Sequence, residues 1–226
     1  MVGSERGRDE WLEPDGLGGF ASGTVRGIRT RRYHALLLTA TTPPSGRVVL
    51  VNGCEAWLET PGGPCALTSQ RYAPDVIQPD GAQRIEAFEP DPWPSWVFAL
   101  PGGGQIEHAL VVQAGRSVIT LSWRLRGAAG GTLAVRPLLS GRDYHALHHE
   151  NPAFRFDAAT DGDRVVWRPI PASRRSLRAR TATTPTSRSG IATSSTARSA
   201  IAGSTTSRTW RRPASSAGTW RMARRC

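Results

Sequence analysis

Between Glu10 and Leu38 the chain gathers residue types that act at surfaces: EWLEPDGLGGFASGTVRGIRTRRYHALLL. Arg31 and Arg32 offer planar forks of N–H donors, and Tyr33 and His34 come at once after them. Such groups suit ligands rich in oxygen. Guanidinium forks and imidazole hydrogen-bond hydroxyls, and aromatic faces stack on flat rings. Ahead of them lies a glycine cluster, Gly16, Gly18 and Gly19, and a small-residue turn, Ala21, Ser22, Gly23 and Thr24. Clustered glycines mark backbone in conformations closed to other residues, or backbone that something else approaches closely. A plainer reading is a loop leading into an edge strand with solvated arginines. The expectation adopted is a polar surface at one rim of a β domain, with Gly18, Gly19, Ser22, Thr24, Arg31, Arg32, Tyr33 and His34 in it.

A second polar knot, Arg142-Asp143-Tyr144-His145, lies far along the chain. With His148 and His149 it invites a metal reading, since His at i and i+4 share a helix face. No helix context or nearby cysteine supports that reading, and no metal is expected. A polar loop in which Arg142 and Asp143 pair with each other or with backbone is the plain alternative.

The elements that must position these groups read as strands. Ser117–Arg126 (SVITLSWRLR) alternates, with Ile119, Leu121, Trp123 and Leu125 on one side, as a strand with one face on a core does. Arg47–Val51 and Cys54–Glu59 flank Asn52-Gly53, a strong hairpin signal. Further pairs are expected around Pro101–Gly104 and around Asp161-Gly162-Asp163, the latter from Ala153–Asp157 and Arg164–Trp167. Trp57, Trp96 and Trp123 are expected in the core. Roughly ten short strands, with turn signals about every 8 to 12 residues and no convincing amphipathic helix, argue for an all-β fold, a large antiparallel β-sandwich.

Composition separates this region from the C-terminal part of the chain. The 226 residues carry a net charge of +11. Twelve of the 29 arginines fall after residue 170 and no acid does, so the first 170 residues hold 17 arginines against 18 acids. The chain has no lysine. Three widely spaced cysteines, Cys54, Cys65 and Cys226, make neither a disulfide framework nor a metal quartet and fit a reducing compartment. The N-terminus has no apolar core like a signal peptide's, and no apolar run is long enough to span a membrane. A soluble, cytoplasmic protein is expected.

The first stretch resembles the N-terminal signature of the bacterial and archaeal type of glycogen-debranching enzyme, the amylo-α-1,6-glucosidase family. The match is carried by Trp11, Gly16 to Gly19, Ala21 to Thr24 and Thr30 to His34. Asp15 stands where that pattern has Asn, Phe20 where it has Tyr, and Ala35 where it has Gly. The Arg142–His145 stretch resembles a second part of the same family. The resemblance implies a β-sandwich that precedes an (α/α)6 barrel, which carries the hydrolytic carboxylates. It implies no cofactor.

Inverting hydrolysis of an α-1,6 bond needs one carboxyl group to protonate the leaving oxygen and another to activate water. Among Glu10, Glu13, Asp15, Glu55 and Asp143 no pair has a spacing suited to this, so no catalytic residue is assigned. The expected partners are an α-glucan (glycogen or limit dextrin) or the absent barrel. Arg142, Asp143 and His145 join the earlier residues as substrate-binding or interdomain positions.

The chain divides into two regions: residues 1–168 as the sandwich and 169–226 as a low-complexity Arg/Ser/Thr/Ala tail. The tail's composition cannot bury a core, and it is expected to be disordered. Back-translated with plausible codons, Ser189–Thr196 yields Trp-Tyr-Arg-Asn-Phe-Leu-Tyr when read two bases later, and the family has a stretch like this after its β hairpins. The expectation is a slip of one or two bases between Trp167 and Pro185, with early termination. The chain is then the front end of a debranching enzyme and inactive alone. The alternatives are a freestanding glycan-binding sandwich and a basic-tailed nucleic-acid-binding protein, and nucleic acid is the less expected partner.

Overall fold

The computed structural model describes residues 10–127, 131–147, 154, 157–167, 176–184, 196–204 and 220–222. Strands dominate, and every pairing is antiparallel. The first sheet runs through β1 (Glu10–Pro14), β2 (Phe20–Thr24), β3 (Ala35–Thr42), β4 (Ser45–Thr60), β12 (Thr132–Asp143) and β17 (Trp220–Met222), with β5 (Gly63–Ala66) also on β4. A small hairpin pairs β6 (Gln70–Tyr72) with β7 (Val76–Gln78). The second sheet is built from β8 (Ile85–Glu89), β9 (Ser95–Ala99), β10 (Gln105–Val112), β11 (Val118–Arg126), β13 (Ala158–Asp161), β14 (Arg164–Trp167), β15 (Ser176–Thr184) and β16 (Thr196–Ser204). Its order is β13-β14-β15-β16-β11-β10-β9-β8.

The period-two alternation explains how the sheets meet. On β11, Ile119, Leu121, Trp123 and Leu125 are buried, while Arg124 and Arg126 are exposed. Facing them from the first sheet are Val48, Leu50, Ala56, Leu58 and Leu133, all in one core cluster with Trp96, Phe98, Ile106 and Leu110. This is the sandwich that the alternation predicts. Among the described residues no helix is long and apolar enough to cross a membrane.

Asn52-Gly53 does not turn. β4 runs straight through it, and both halves of β4 pair with β12. Leu138 faces Gly53 and Leu139 faces Val51, so Asn52 is the extra residue of a bulge. A local turn signal lost here to a longer ladder: one continuous partner strand recruits both halves. Trp57 also departs from its expected place in the core. Ala56 and Leu58 take the core side of β4, which sends Trp57 to the outer face, half-buried beneath the Arg136 guanidinium. The hairpin at Gly162 exists, but its first strand is Ala158–Asp161, and most of 153–157 lies outside the described residues.

The tail contributes β15, β16 and β17 among its described residues. β15 and β16 lie between β14 and β11, and Leu177 is buried in the core. A strand ladder is made by backbone, so an arginine-, serine- and threonine-rich segment can occupy it with few apolar contacts.

Candidate functional site

The glycine cluster serves the chain's own packing. Asp15 is buried, and its Oδ1 accepts the Leu17 N–H at 2.7 Å and the Gly19 N–H at 2.8 Å. A Cβ at Gly19 would collide with Asp15 Oδ2 and the Leu38 carbonyl. At Gly18, φ is +96° and a Cβ would strike the Pro44 backbone. Thr24 donates its hydroxyl to the Ile28 carbonyl at 2.8 Å. Gly18, Gly19 and Thr24 thus shape the loop from within.

The 25–34 loop is tied down at both ends. Trp96 donates its indole N–H to the Val25 carbonyl at 2.8 Å, and Ser22 donates its hydroxyl to the Tyr33 carbonyl at 3.3 Å. His34 is buried at the loop's end. The Thr30 N–H donates to its Nδ1 at 3.2 Å, which leaves Nε2 to carry the proton of the neutral ring. Nε2 lies 3.5 Å from Glu10 Oε1. Burial lowers the His34 pKa; Glu10 works against this, and Arg31 and Arg29 add to it. The same Glu10 oxygen accepts from Arg31 Nε at 2.7 Å. His34 is therefore a neutral positioning group, and its ring is not presented to solvent.

The loop meets the end of β12. Arg142 reaches across to the Arg32 carbonyl, and its Nη1 donates to the carbonyls of Tyr144 at 3.2 Å and Ala146 at 3.0 Å. Arg32 answers with a bond from Nη1 to the His145 carbonyl at 3.0 Å. Asp143 Oδ1 accepts the His145 N–H at 2.9 Å. The rings close the join: Tyr33 to Tyr144 at 5.1 Å, Tyr33 to His145 at 6.0 Å and Tyr144 to His145 at 4.0 Å between centroids. The Tyr33 hydroxyl lies 3.5 Å from His145 Nδ1. Tyr144 rests on a second apolar cluster, Ala35, Leu38 and Val49, on the outer face of the first sheet, and Arg47 lies over its ring at 5.6 Å.

The structure thus brings Ser22, Arg31, Arg32, Tyr33 and His34 together with Arg142, Asp143 and His145. The Arg142–Asp143 pair ends a strand, with Arg142 opposite Val49 and Asp143 opposite Val48. His148 and His149 lie outside the described residues. Sequence reasoning missed Arg29, whose Nη2 donates to Gln70 Oε1 at 3.5 Å on the β6–β7 hairpin, and Tyr72, two residues along from Gln70 on the same strand. A third arginine ahead of Thr30 was visible. The hairpin that completes its surroundings was hidden in a stretch without periodicity.

The model of a known family, described as glycogen debranching enzyme N terminal, matches residues 9–197. The chain belongs to that family. The match takes in both halves of the clasp, Arg31–His34 and Arg142–His145. No curated protein and no solved structure matches the chain. As a glycogen debranching enzyme N-terminal domain, the sandwich has its signature residues at one rim of the first sheet. Its glycines act on backbone packing, and its arginines and aromatics on the surface.

Proposed function

We propose that this chain is the non-catalytic N-terminal sandwich of an α-1,6-glucosidase acting on glycogen or limit dextrins. In this reading the sandwich docks against a catalytic barrel and shapes the substrate cleft with its rim. The observation that carries the proposal is the clasp, in which Arg142 and Arg32 each donate to the other segment's backbone. This holds Tyr33 and His145 at a partly exposed surface, where aromatic faces and N–H donors suit a polyhydroxyl chain. The nearby carboxylates are already engaged, Glu10 by Arg31 and Asp143 by the His145 N–H, which fits a supporting role.

The test is native electrophoresis in gels with and without glycogen, alongside an assay for glucose release from limit dextrin. Retardation by glycogen, weakened by Tyr33→Ala, with no glucose released, is the expected result. Glucose release by this chain alone would overturn the non-catalytic reading. Unretarded migration, together with no association with the catalytic part of a relative, would overturn the rim's role.

For the tail, the proposal of a shifted frame rests on the arginine excess after residue 170 and the absence of acids there. Two observations favour the written frame over part of it: the family match runs to residue 197, and Leu177 takes a core position. Resequencing the gene through this stretch separates the two.

A further inference from the structure

Three of the rim's arginines, Arg29, Arg32 and Arg142, differ from Arg31 beside them and from several others in what they face. Arg71, Arg84, Arg126 and Arg136 each meet a carboxylate, on Asp75, Asp80, Glu107 and Glu55 respectively. Arg142 and Arg32 instead donate to backbone carbonyls, and Arg29 to the Gln70 amide oxygen. Carbonyl and amide oxygens satisfy a donor without cancelling its charge. Of the acids nearby among the described residues, Glu10 already serves Arg31 and His34, Asp75 pairs with Arg71, and Asp143 offsets Arg142 in part. Arg142 donates to the carbonyl of Arg32, and Arg29 stands three residues earlier in the same loop. While burial is the main cause of the lowered Arg142 pKa, Arg29 and Arg32 add to it as like charges. Among the described residues, these three cations have one partial counter-charge, within a region whose first 170 residues are close to neutral. Such a concentration favours a multiply charged anion from outside the chain.

Two exposed rings stand beside it. Tyr33 is 38% exposed and carries Arg32 over its ring at 5.7 Å, and Tyr72, 50% exposed, lies two residues along β6 from Gln70, the partner of Arg29. We propose that Arg29 and Arg32, backed by Arg142, form an anion site for the phosphate monoester of a sugar, with Tyr33 and Tyr72 offering their faces to the sugar ring. Guanidinium forks match phosphate oxygens two at a time, and a phosphate monoester brings the nearly double charge that three cations can hold. The sugar half rests on the glucan reading above; the phosphate half stands on the charges alone. The ester can come from a free sugar phosphate or from phosphate groups carried on the glucan.

The experiment is isothermal titration of the full chain at about 0.15 M salt, where surface charge is screened within roughly 8 Å. The probes are glucose 1-phosphate, inorganic phosphate and glucose. Glucose 1-phosphate is expected to bind more tightly than phosphate, and glucose not measurably. Arg29→Gln and Arg32→Gln are each expected to weaken binding by about 10-fold, roughly one broken charge-assisted contact. Arg126→Gln, on the second sheet, is expected to leave it unchanged. Melting curves confirm that each variant is folded.

Retardation by glycogen that falls after phosphatase treatment of the glycogen assigns the ester to the glucan. Unchanged retardation alongside glucose 1-phosphate binding assigns it to the free sugar phosphate. Binding of phosphate with no preference for glucose 1-phosphate keeps the anion site and removes the sugar. The proposal falls if neither phosphate probe binds, or if both bind equally well to the Arg29→Gln, Arg32→Gln double variant. It also falls if the arginine variants lose only attachment to the catalytic part of a relative.

Discussion

Gly19 has no room for a side chain, because Asp15 and the Leu38 carbonyl already occupy the space. Gly19→Ala is expected to lower stability by about 1–3 kcal/mol, the usual cost of overpacking, measured by urea unfolding. Asp15 points to a change in the other direction. Its Oδ2 is buried and has no hydrogen-bond partner among the described residues. Asp15→Asn replaces that oxygen with an amide donor beside the Leu38 carbonyl. It should raise stability by about 1 kcal/mol, seen as a higher urea midpoint. His108 sets a pH dependence. It is stacked between Trp96 and Trp123, at 5.3 and 4.7 Å, and burial lowers its pKa to about 4 against an accepting Ser122 carbonyl. A histidine whose folded pKa is depressed stabilises the fold fully above its unfolded pKa of about 6.5 and loses that contribution as pH falls toward 4. The loss is on the order of 2–3 kcal/mol. The drop in urea midpoint between pH 7 and 4.5 should shrink when His108→Phe removes this titrating ring, with His34 supplying part of what remains. None of these three effects is legible in the sequence, which shows the residues but not which atoms crowd them.

Strands declare themselves where one face is buried. The alternation on β11 predicts its buried face correctly, because each Ile119, Leu121, Trp123 and Leu125 step returns to the same side of the sheet. The Asn52-Gly53 reading failed because a hairpin signal is local, whereas the pairing of β4 with β12 spans distant sequence. Trp57 failed for a related reason: hydrophobicity suggested burial, but the pleat of β4 decided its face. The clasp lies between these cases. Both of its halves stood out as polar motifs, but their meeting depends on β3, β4 and β12 being neighbours. Arg142 should be the element-scale linchpin. Arg142→Ala leaves the Arg32 carbonyl without this donor and frees the 25–34 loop from β12. The expected outcome is a loss of about 1.5–3 kcal/mol and faster hydrogen exchange at His34 and Tyr144. Unchanged exchange at both positions would contradict the clasp.

On the scale of the whole molecule, the two sheets and the rim were expected and the closing strands were not. Composition marks the tail as a poor source of core, yet β15 and β16 fill the gap between β14 and β11. Ending the chain after Trp167 therefore leaves the edge of β11 unpaired, from Val118 to Arg124. Such a fragment is expected to self-associate, a shift visible by size-exclusion chromatography with light scattering, since open edges recruit other strands. The membership of the glycogen debranching enzyme N-terminal family is shown. That a catalytic barrel belongs with this sandwich is the larger proposal. The direct measurement is to read the gene from the codon for Asp157 to well beyond Cys226. The account predicts that a helical barrel region comes next, in this frame or a shifted one. A verified sequence with no such region in any frame would contradict it and leave the sandwich a module in its own right.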